Sequence, residues 1–259
     1  MQIEDLIAKF DPISLEQMDS VQLMNRIDTK YTVPMRLLPA ILEAAQKDYF
    51  AQQINGKRIA VYDTMYYDTD TLDMYIRHHD RQLVRQKIRV RQYVNTGETY
   101  LEIKRKDNKG RTRKKRIVVP GTDIQADTLG HGKTEDWNVA DFIEQKTRYT
   151  WSELSPHLST KFRRITLVNK AKTERLTIDM NLVWENAITG ERKTYPELVI
   201  IELKRNGNVH SQMTKIMMEQ HIKPMKMSKY CIGTALTTPH VKQNRFKSKI
   251  RKIEKLCLN

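Results

Sequence analysis

The chain has 259 residues, 39% of them hydrophobic and 30% charged, with a formal net charge of +15. That is enough apolar material for one large domain, and enough positive charge to call for an anionic partner: nucleic acid, a phosphate-rich small molecule or an acidic membrane surface. Only Cys231 and Cys257 occur, at no metal-ligand spacing, and no apolar run nears the roughly 18 residues of a membrane span, which argues against a disulfide framework and a spanning helix. The first residues are acidic and amphipathic rather than a signal peptide, so a soluble, cytoplasmic protein is expected.

In chain order, a short helix is expected near residues 3–9. Asp28-Thr-Lys-Tyr-Thr-Val33 alternates like a strand until Pro34 interrupts it. Leu37, Leu38, Ile41, Leu42 and Ala45 then set a helix over 36–48. Strands follow at 59–67, 83–93, 98–106 and 112–119, with Asn95-Thr-Gly97 and Asp107-Asn-Lys-Gly110 as hairpin turns. The stretch 121–158 is polar, with helical spacing only around Val139, Phe142 and Ile143. Strands return at 161–169, 174–184 and 196–204, the last two separated by a loop at Asn186-Ala-Ile-Thr-Gly190. A Met-rich helix is expected over 209–220, and Ser228-Lys-Tyr230 opens another. Residues 241–259 form a basic helix with Phe246, Ile250 and Ile253 on its apolar stripe. Without an internal repeat or a Gly/Ser linker, residues 1–259 read as a single α+β domain. About eight mostly consecutive antiparallel strands suggest a closed β-barrel with peripheral helices.

The alternation within the strands carries the chemistry. Arg85, Lys87, Arg89 and Arg91 are two residues apart, so a strand sends all four to one face and Ile88 and Val90 to the other. The same pattern puts Glu102, Lys104 and Lys106 on one face, Lys114 and Arg116 on another, and Ile200, Glu202 and Lys204 on a third. It also separates Arg175, Thr177, Asp179 and Asn181 from Leu176, Ile178, Met180 and Leu182. One such strand is ordinarily a solvated outer face. Several, dominated by Arg and Lys with carboxylates appearing singly beside cations, fit a polar interior that holds phosphate oxygens. The isolated carboxylates would then hold a divalent cation through oxygen ligands.

Nine segments come in a recognisable order: Arg26-Ile-Asp-Thr-Lys-Tyr31, Tyr66-Tyr-Asp-Thr69, Lys87-Ile-Arg-Val-Arg-Gln-Tyr93, Leu101-Glu-Ile-Lys104, Lys114-Lys-Arg116, Phe162-Arg-Arg164, Arg175-Leu-Thr-Ile-Asp179, Glu197-Leu-Val-Ile-Ile-Glu-Leu-Lys204 and Ser228-Lys-Tyr230. Together, over about residues 20–237, they resemble the catalytic domain of the vacuolar transporter chaperone (VTC) polyphosphate polymerases, within the CYTH-like triphosphate tunnel metalloenzyme superfamily. The resemblance implies a tunnel barrel whose basic lining holds ATP and inorganic polyphosphate. Carried over by motif, Lys30, Lys87, Arg89, Arg91, Lys104, Lys114, Arg116, Arg164, Lys204 and Lys229 are the expected phosphate ligands, joined by Arg77. Lys30, Arg89, Arg91, Lys104, Arg164 and Glu202 form the expected catalytic set. Glu202 is the expected carboxylate for Mn2+ or Mg2+, and Glu102 supports the metal or orients Lys104. Arg85 falls outside the motif as an entrance residue. Three alternatives stay open: Lys30 as a surface lysine, Arg163 in place of Arg164, and Asp179 as the partner of a neighbouring arginine. The resemblance does not extend to the inositol-phosphate-sensing domain or the transmembrane segments of the eukaryotic members.

The activity implied is transfer of the ATP γ-phosphate to a growing polyphosphate chain. The alternatives are an inorganic or nucleoside triphosphatase using the same site with water, and a non-catalytic polyphosphate-binding module. Asp28-Thr-Lys30 stands where hydrolytic relatives carry a Glu-x-Glu pair, which favours a long polyanion over activated water. His78, His79, His157 and His210 read as structural or surface residues. Nucleic acid is disfavoured because aromatics do not interleave the cationic runs. The basic C-terminal helix reads as a cap on one barrel end, a guide for the exiting chain, or a peripheral contact with anionic membrane.

Overall fold

The computed structural model describes residues 2–19, 26–120, 133–134, 137–207 and 209–258. The strands are β1 (Asp11–Ile13), β2 (Arg26–Pro34), β3 (Tyr49–Gln52), β4 (Ile59–Asp68), β5 (Arg85–Tyr93), β6 (Thr99–Lys106), β7 (Thr112–Val118), β8 (Lys133–Thr134), β9 (Trp137–Asn138), β10 (Ser155–Asn169), β11 (Glu174–Asn186), β12 (Arg192–Tyr195) and β13 (Leu198–Asn206). The helices are α1 (Ile3–Ala8), α2 (Leu15–Asp19), α3 (Leu38–Ala45), α4 (Asp73–His79), α5 (Val139–Lys146), α6 (Gln212–Glu219), α7 (Lys229–Thr237) and α8 (Lys247–Leu258).

The main sheet runs β2-β13-β11-β10-β4-β5-β6-β7, antiparallel at every step. β1 adds a parallel pair to β3, and β12 extends β11. Consecutive strands pair in the β4–β7 meander, between β10 and β11, between β11 and β12, and in the separate two-stranded β8–β9 sheet. β10 returns across the sheet to lie beside β4, and β13 closes on β2. The expected closed barrel is therefore corrected to an open, curled half-barrel, with β2 and β7 as the ends of the path among the described residues. The physical reason lies in β7. Arg113 and Lys115 alternate with Lys114 and Arg116, all exposed, so both faces of this edge are cationic. An approaching β2 would bring Lys30 against them, and like charges keep an edge unpaired.

The period-2 pattern sorts the side chains into two faces. On the outer face, Ile165, Leu167, Leu176, Ile178, Val199, Ile201 and Leu203 are buried under α1, α3 and α6. Further along the same face, Met65, Ile88, Val90, Leu101 and Ile103 pack with Val139, Phe142 and Ile143 of α5. On the inner face, Tyr62, Tyr66, Phe162, Leu182, Trp184, Leu198 and Ile200 pack beneath α7 and α8. Apolar residues thus fill one end of the inner face, and charged residues occupy the other.

One expected assignment is reversed. Strict alternation groups Leu182 with Leu176, Ile178 and Met180, but the β10–β11 register shifts between Lys161 and Arg163, opposite Val183 and Met180. Asn181 takes a left-handed φ of 53° there. The bulge inserts a residue and flips the alternation, so Leu182 and Trp184 join the inner cluster while Met180 stays outside.

Candidate functional site

All of the expected phosphate ligands except Arg77 lie on or over the inner face. Lys30 stands on β2 and Glu202 and Lys204 on β13. Asp179 is on β11 and Arg164 on β10. Lys87, Arg89 and Arg91 line β5, Glu102 and Lys104 lie on β6, and Lys114 and Arg116 on β7. The registers put them side by side: Lys30 faces Glu202, Asp179 faces Arg164, Arg89 faces Glu102, Lys87 faces Lys104, and Glu102 faces Arg116. The curl then brings distant strands together. Lys104 and Glu202 act on each other's charge although four strands separate β6 from β13, and Lys87 feels Lys30 in the same way.

Lys229 reaches this face from α7. Ser228 caps that helix by accepting the Cys231 amide at 3.3 Å, and the same hydroxyl accepts from Lys87 Nζ at 2.7 Å. Tyr230 donates to Asp68, whose carboxylate also accepts the amides of Met74 and Tyr75 at 2.9 Å each and so ties α7 and α4 to β4. Gly233 lets α7 come down on the sheet: a Cβ there would lie 2.5 Å from the Trp184 ring. Seated this way, Lys229 pairs with Asp179.

Three carboxylates sit among these cations, in different states. Asp179 is buried and accepts two bonds from Arg164, at 2.5 and 2.8 Å, besides its contact with Lys229. Glu102 is fully buried, accepts from Arg89 Nε at 2.7 Å, and is paired with Lys114 through its other oxygen. It therefore orients Arg89 and Lys114 rather than Lys104, and both of its oxygens are engaged. Glu202 is loose: Lys30 lies 3.3 Å from one oxygen and Lys204 3.8 Å from the other, and a quarter of its side chain is open to solvent. Burial raises its pKa, but Lys30, Lys204, Lys104 and Lys229 outweigh that and hold the carboxyl below the usual range.

The cations crowd one another. The Arg89 charge, burial and the Arg91 charge hold Lys104 well below the usual lysine range. Burial brings Lys204 down to about 8 against the pull of Glu202, and brings Arg91 down to about 10 with help from Arg89 and Arg164. Burial also lowers Lys87 and Lys229. Arg89 and Arg164 are held charged by their carboxylate partners, whereas these lysines and Arg91 are costly to protonate and gain from any polyanion that neutralises them.

Aromatic rings lie beneath the guanidinium groups. Tyr62 and Phe162 stack with centroids 5.2 Å apart, and the Arg164 guanidinium sits 4.8 Å from the Tyr62 ring. Arg91 lies 5.2 Å from Tyr62, and Lys229 4.8 Å from Phe162. Arg89 donates to Tyr66 Oη at 3.3 Å, and Arg91 to Thr64 Oγ1 at 3.1 Å. The sequence reading missed these rings because they belong to β4 and β10 rather than to the cationic strands. The signal was present in the parity of Tyr62, Thr64 and Tyr66. The rings are buried under cations, so they offer no open platform to a base.

Arg77 is not brought to this face. It lies on α4, bonded to Asp73 at 2.6 Å and Gln82 at 2.6 Å, in a network with Tyr149. Arg163 is resolved as the outer-face member of its tandem, paired with Glu4, which leaves Arg164 inside. His78 and His79 pack near Phe246, His157 hydrogen-bonds Ser155 at 3.1 Å, and His210 is exposed. Cys231 is buried and both cysteines are free.

A divalent ion fits Glu202 in one way only. Among the described residues no group of three or more His, Cys, Asp or Glu gathers, and Glu102 and Asp179 are taken by cations. Glu202 has free lone pairs and is ionised, so it would give one ligand while phosphate oxygens and water complete the shell, as Mg2+ commonly accepts. Among the described residues, no helix is long and apolar enough to cross a membrane.

Solved structures of similar fold include a putative adenylyl cyclase from Hippeastrum described as having a dominant triphosphatase activity. It is 14% identical, covers 83% of this chain and 98% of its own, and superposes with a TM-score of 0.51. Putative adenylate cyclases from Vibrio parahaemolyticus (11% identity, 82% of this chain and 99% of that one, TM-score 0.47) and Bacillus halodurans (12%, 79% and 96%, 0.49) are also similar. No curated protein matches the chain. The family model that matches is the VTC domain, over residues 25–238. Its span takes in every strand from β2 to β13 and the whole of α7, the elements that assemble the cationic face, and the chain belongs to the VTC domain family.

Proposed function

We propose that this chain is a polyphosphate polymerase that transfers the γ-phosphate of ATP to the end of an inorganic polyphosphate chain held on the inner face. The observation that carries this reading is the contrast between abundant cations and a single loosely held carboxylate, Glu202. Family membership supports a triphosphate-related activity, and the fold shared with the Hippeastrum protein agrees with it.

Phosphoryl transfer asks a protein chiefly to align two anions and neutralise charge. Lys87, Arg89, Arg91 and Lys104 on one wall and Lys30, Lys204 and Arg164 on the other provide cations from both sides of the curl. Glu102 and Asp179 hold Arg89 and Arg164 in fixed forks, so their orientation is set before substrate arrives. A terminal phosphate oxygen of the acceptor attacks the γ-phosphorus. The bond from that phosphorus to the β,γ-bridging oxygen breaks, and nucleoside diphosphate leaves with the electron pair. The nucleophile is already an anion, so no strong general base is required, which agrees with the placement of His78, His79, His157 and His210. Mg2+ or Mn2+, when bound at Glu202 and the phosphate oxygens, would neutralise charge developing on those oxygens.

The second reading is hydrolysis of triphosphate at the same site, favoured by the activity described for the Hippeastrum protein of similar fold. Against it stands the shortage of carboxylates able to activate water. Purified protein incubated with ATP and Mn2+ or Mg2+, with and without a short polyphosphate primer, separates the readings. Long polymer and ADP support the polymerase. Free phosphate without polymer overturns it in favour of the hydrolase, and tight binding without turnover overturns it in favour of a binding module.

A further inference from the structure

The basic C-terminal segment is not a detached tail, and its position gives it a role. Phe246, Ile250 and Ile253 are buried in the inner-face cluster, so the apolar stripe of α8 is already covered by this chain. Its start is docked on the end of α4: Lys242 pairs with Asp80 at 2.9 Å, the Tyr75 hydroxyl donates to the Lys242 carbonyl at 2.9 Å, and the Phe246 ring meets His79 edge-on at 5.3 Å. Lys247, Arg251, Lys252 and Lys255 are exposed, and no ion pair with them is found among the described residues.

This surface is joined to the cationic face. Lys87 donates to Ser228, and two residues before Ser228 the exposed Lys226 stands at the rim. Lys249 of α8 lies over the Phe246 ring at 5.9 Å and feels the charges of both Lys226 and Arg81. Between α4 and β5, the Arg85 guanidinium is fixed on the Gln82 carbonyl at 2.6 Å, directly before Lys87 in the ladder. Positive groups are thus spread from Lys87 and Arg85 on β5 to Arg81, Lys226 and Lys249 on the side of α8. Glu254 is the one acidic residue from 241 to 258, so the helix keeps a large positive excess.

We propose that Lys226, Lys249 and Lys252 form an exterior track that carries the part of a linear polyphosphate chain too long for the inner face. This deepens the polyphosphate reading of the site and rests on it. A dense linear anion is the occupant that suits exposed and part-exposed lysines placed outside a phosphate site. An apolar anchor for membrane is absent because the stripe of α8 is buried against the protein.

The test compares a triple variant, Lys226→Gln/Lys249→Gln/Lys252→Gln, with the parent chain in direct binding to tripolyphosphate and to long-chain polyphosphate over a range of salt. The expected result is unchanged tripolyphosphate affinity and roughly tenfold weaker binding of the long chain. The slope of log affinity against log salt should fall by about two to three, one counterion contact for each lysine removed. Unchanged long-chain binding overturns the track, as does an equal loss for both ligands, which would assign the lysines to the inner face or to its stability. A parent chain that binds neither ligand instead sinks the polyphosphate reading itself. A variant that loses binding to phosphatidylglycerol vesicles while keeping its polyphosphate affinity overturns the track in favour of a membrane contact.

Discussion

Asp179 and Glu202 are carboxylates on the same face of adjacent strands, yet they do different work. Asp179 is almost completely buried and saturated by Arg164 and Lys229. Glu202 is partly open, with lysines at 3.3 and 3.8 Å and room for another ligand. The contrast teaches that a carboxylate among cations is not by itself a metal ligand. One whose lone pairs are all engaged is electrostatic framework, and one held loosely keeps lone pairs for a further ligand.

The largest effect that would break this comparison is on stability. Asp179→Asn leaves Arg164 and Lys229 buried without their anion, and chemical denaturation should show a loss of about 3–5 kcal/mol. The sign with pH follows: the folded-state pKa of Asp179 lies below its ordinary value, because Arg164 and Lys229 outweigh burial. Its contribution is present above the unfolded pKa of about 4 and is lost as pH falls through the folded value. The parent chain should therefore lose stability on acidification more steeply than the Asn variant. An Asn variant as stable as the parent would erase the distinction.

Glu202→Gln should do the reverse, costing about 1 kcal/mol or less in stability because its ion pairs are long and all three side chains stay partly open to solvent. Metal-dependent turnover of ATP should fall by about a hundredfold, as when one strong electrostatic contribution to a transition state is removed. Full metal-dependent activity in that variant would remove the carboxylate from the metal site.

A smaller effect sharpens the electrostatics around Glu202. Lys204 titrates near 8 when the face is empty, and a bound polyanion raises its pKa, so binding takes up a proton above that pH. Tripolyphosphate affinity should fall as pH rises through 8, by up to about tenfold per pH unit for one coupled proton. Lys204→Arg should make that limb shallower by one proton, as read by calorimetry in buffers of different ionisation enthalpy. Smallest of all, Arg77→Ala should leave tripolyphosphate affinity unchanged and shift stability by about 0.5 kcal/mol, since its partner is an Asp73 four residues away on the same short helix. A clear loss of phosphate affinity would return Arg77 to the site.

Much of the strand layout was legible. The expected strands at 59–67, 98–106 and 112–119 coincide closely with β4, β6 and β7, because each is a clean run bounded by turn residues. Apart from α1, which matches the helix expected near 3–9, the shortest elements were not legible. β1, β3, α2 and α4 are too brief for a period to declare itself, and α4 exists because Asp68 accepts its first amides. β12 pairs only with β11, across a loop that reads simply as a turn. The expected closed barrel failed because strand count says nothing about whether the last edge tolerates a partner.

What the sequence determined by itself is the cationic face. A strand's period of two is local geometry, so Lys87, Arg89 and Arg91 had to share a side whatever they faced. Tertiary structure decided the rest. It opened the barrel at a doubly cationic edge and flipped Leu182 inward through the bulge at Asn181. It swung Lys229 over the sheet on α7, and it allotted Asp179 and Glu102 to arginines while leaving Glu202 only loosely held by lysines. Those outcomes depend on distances between groups far apart in the chain, and no local pattern encodes a distance across a curled sheet.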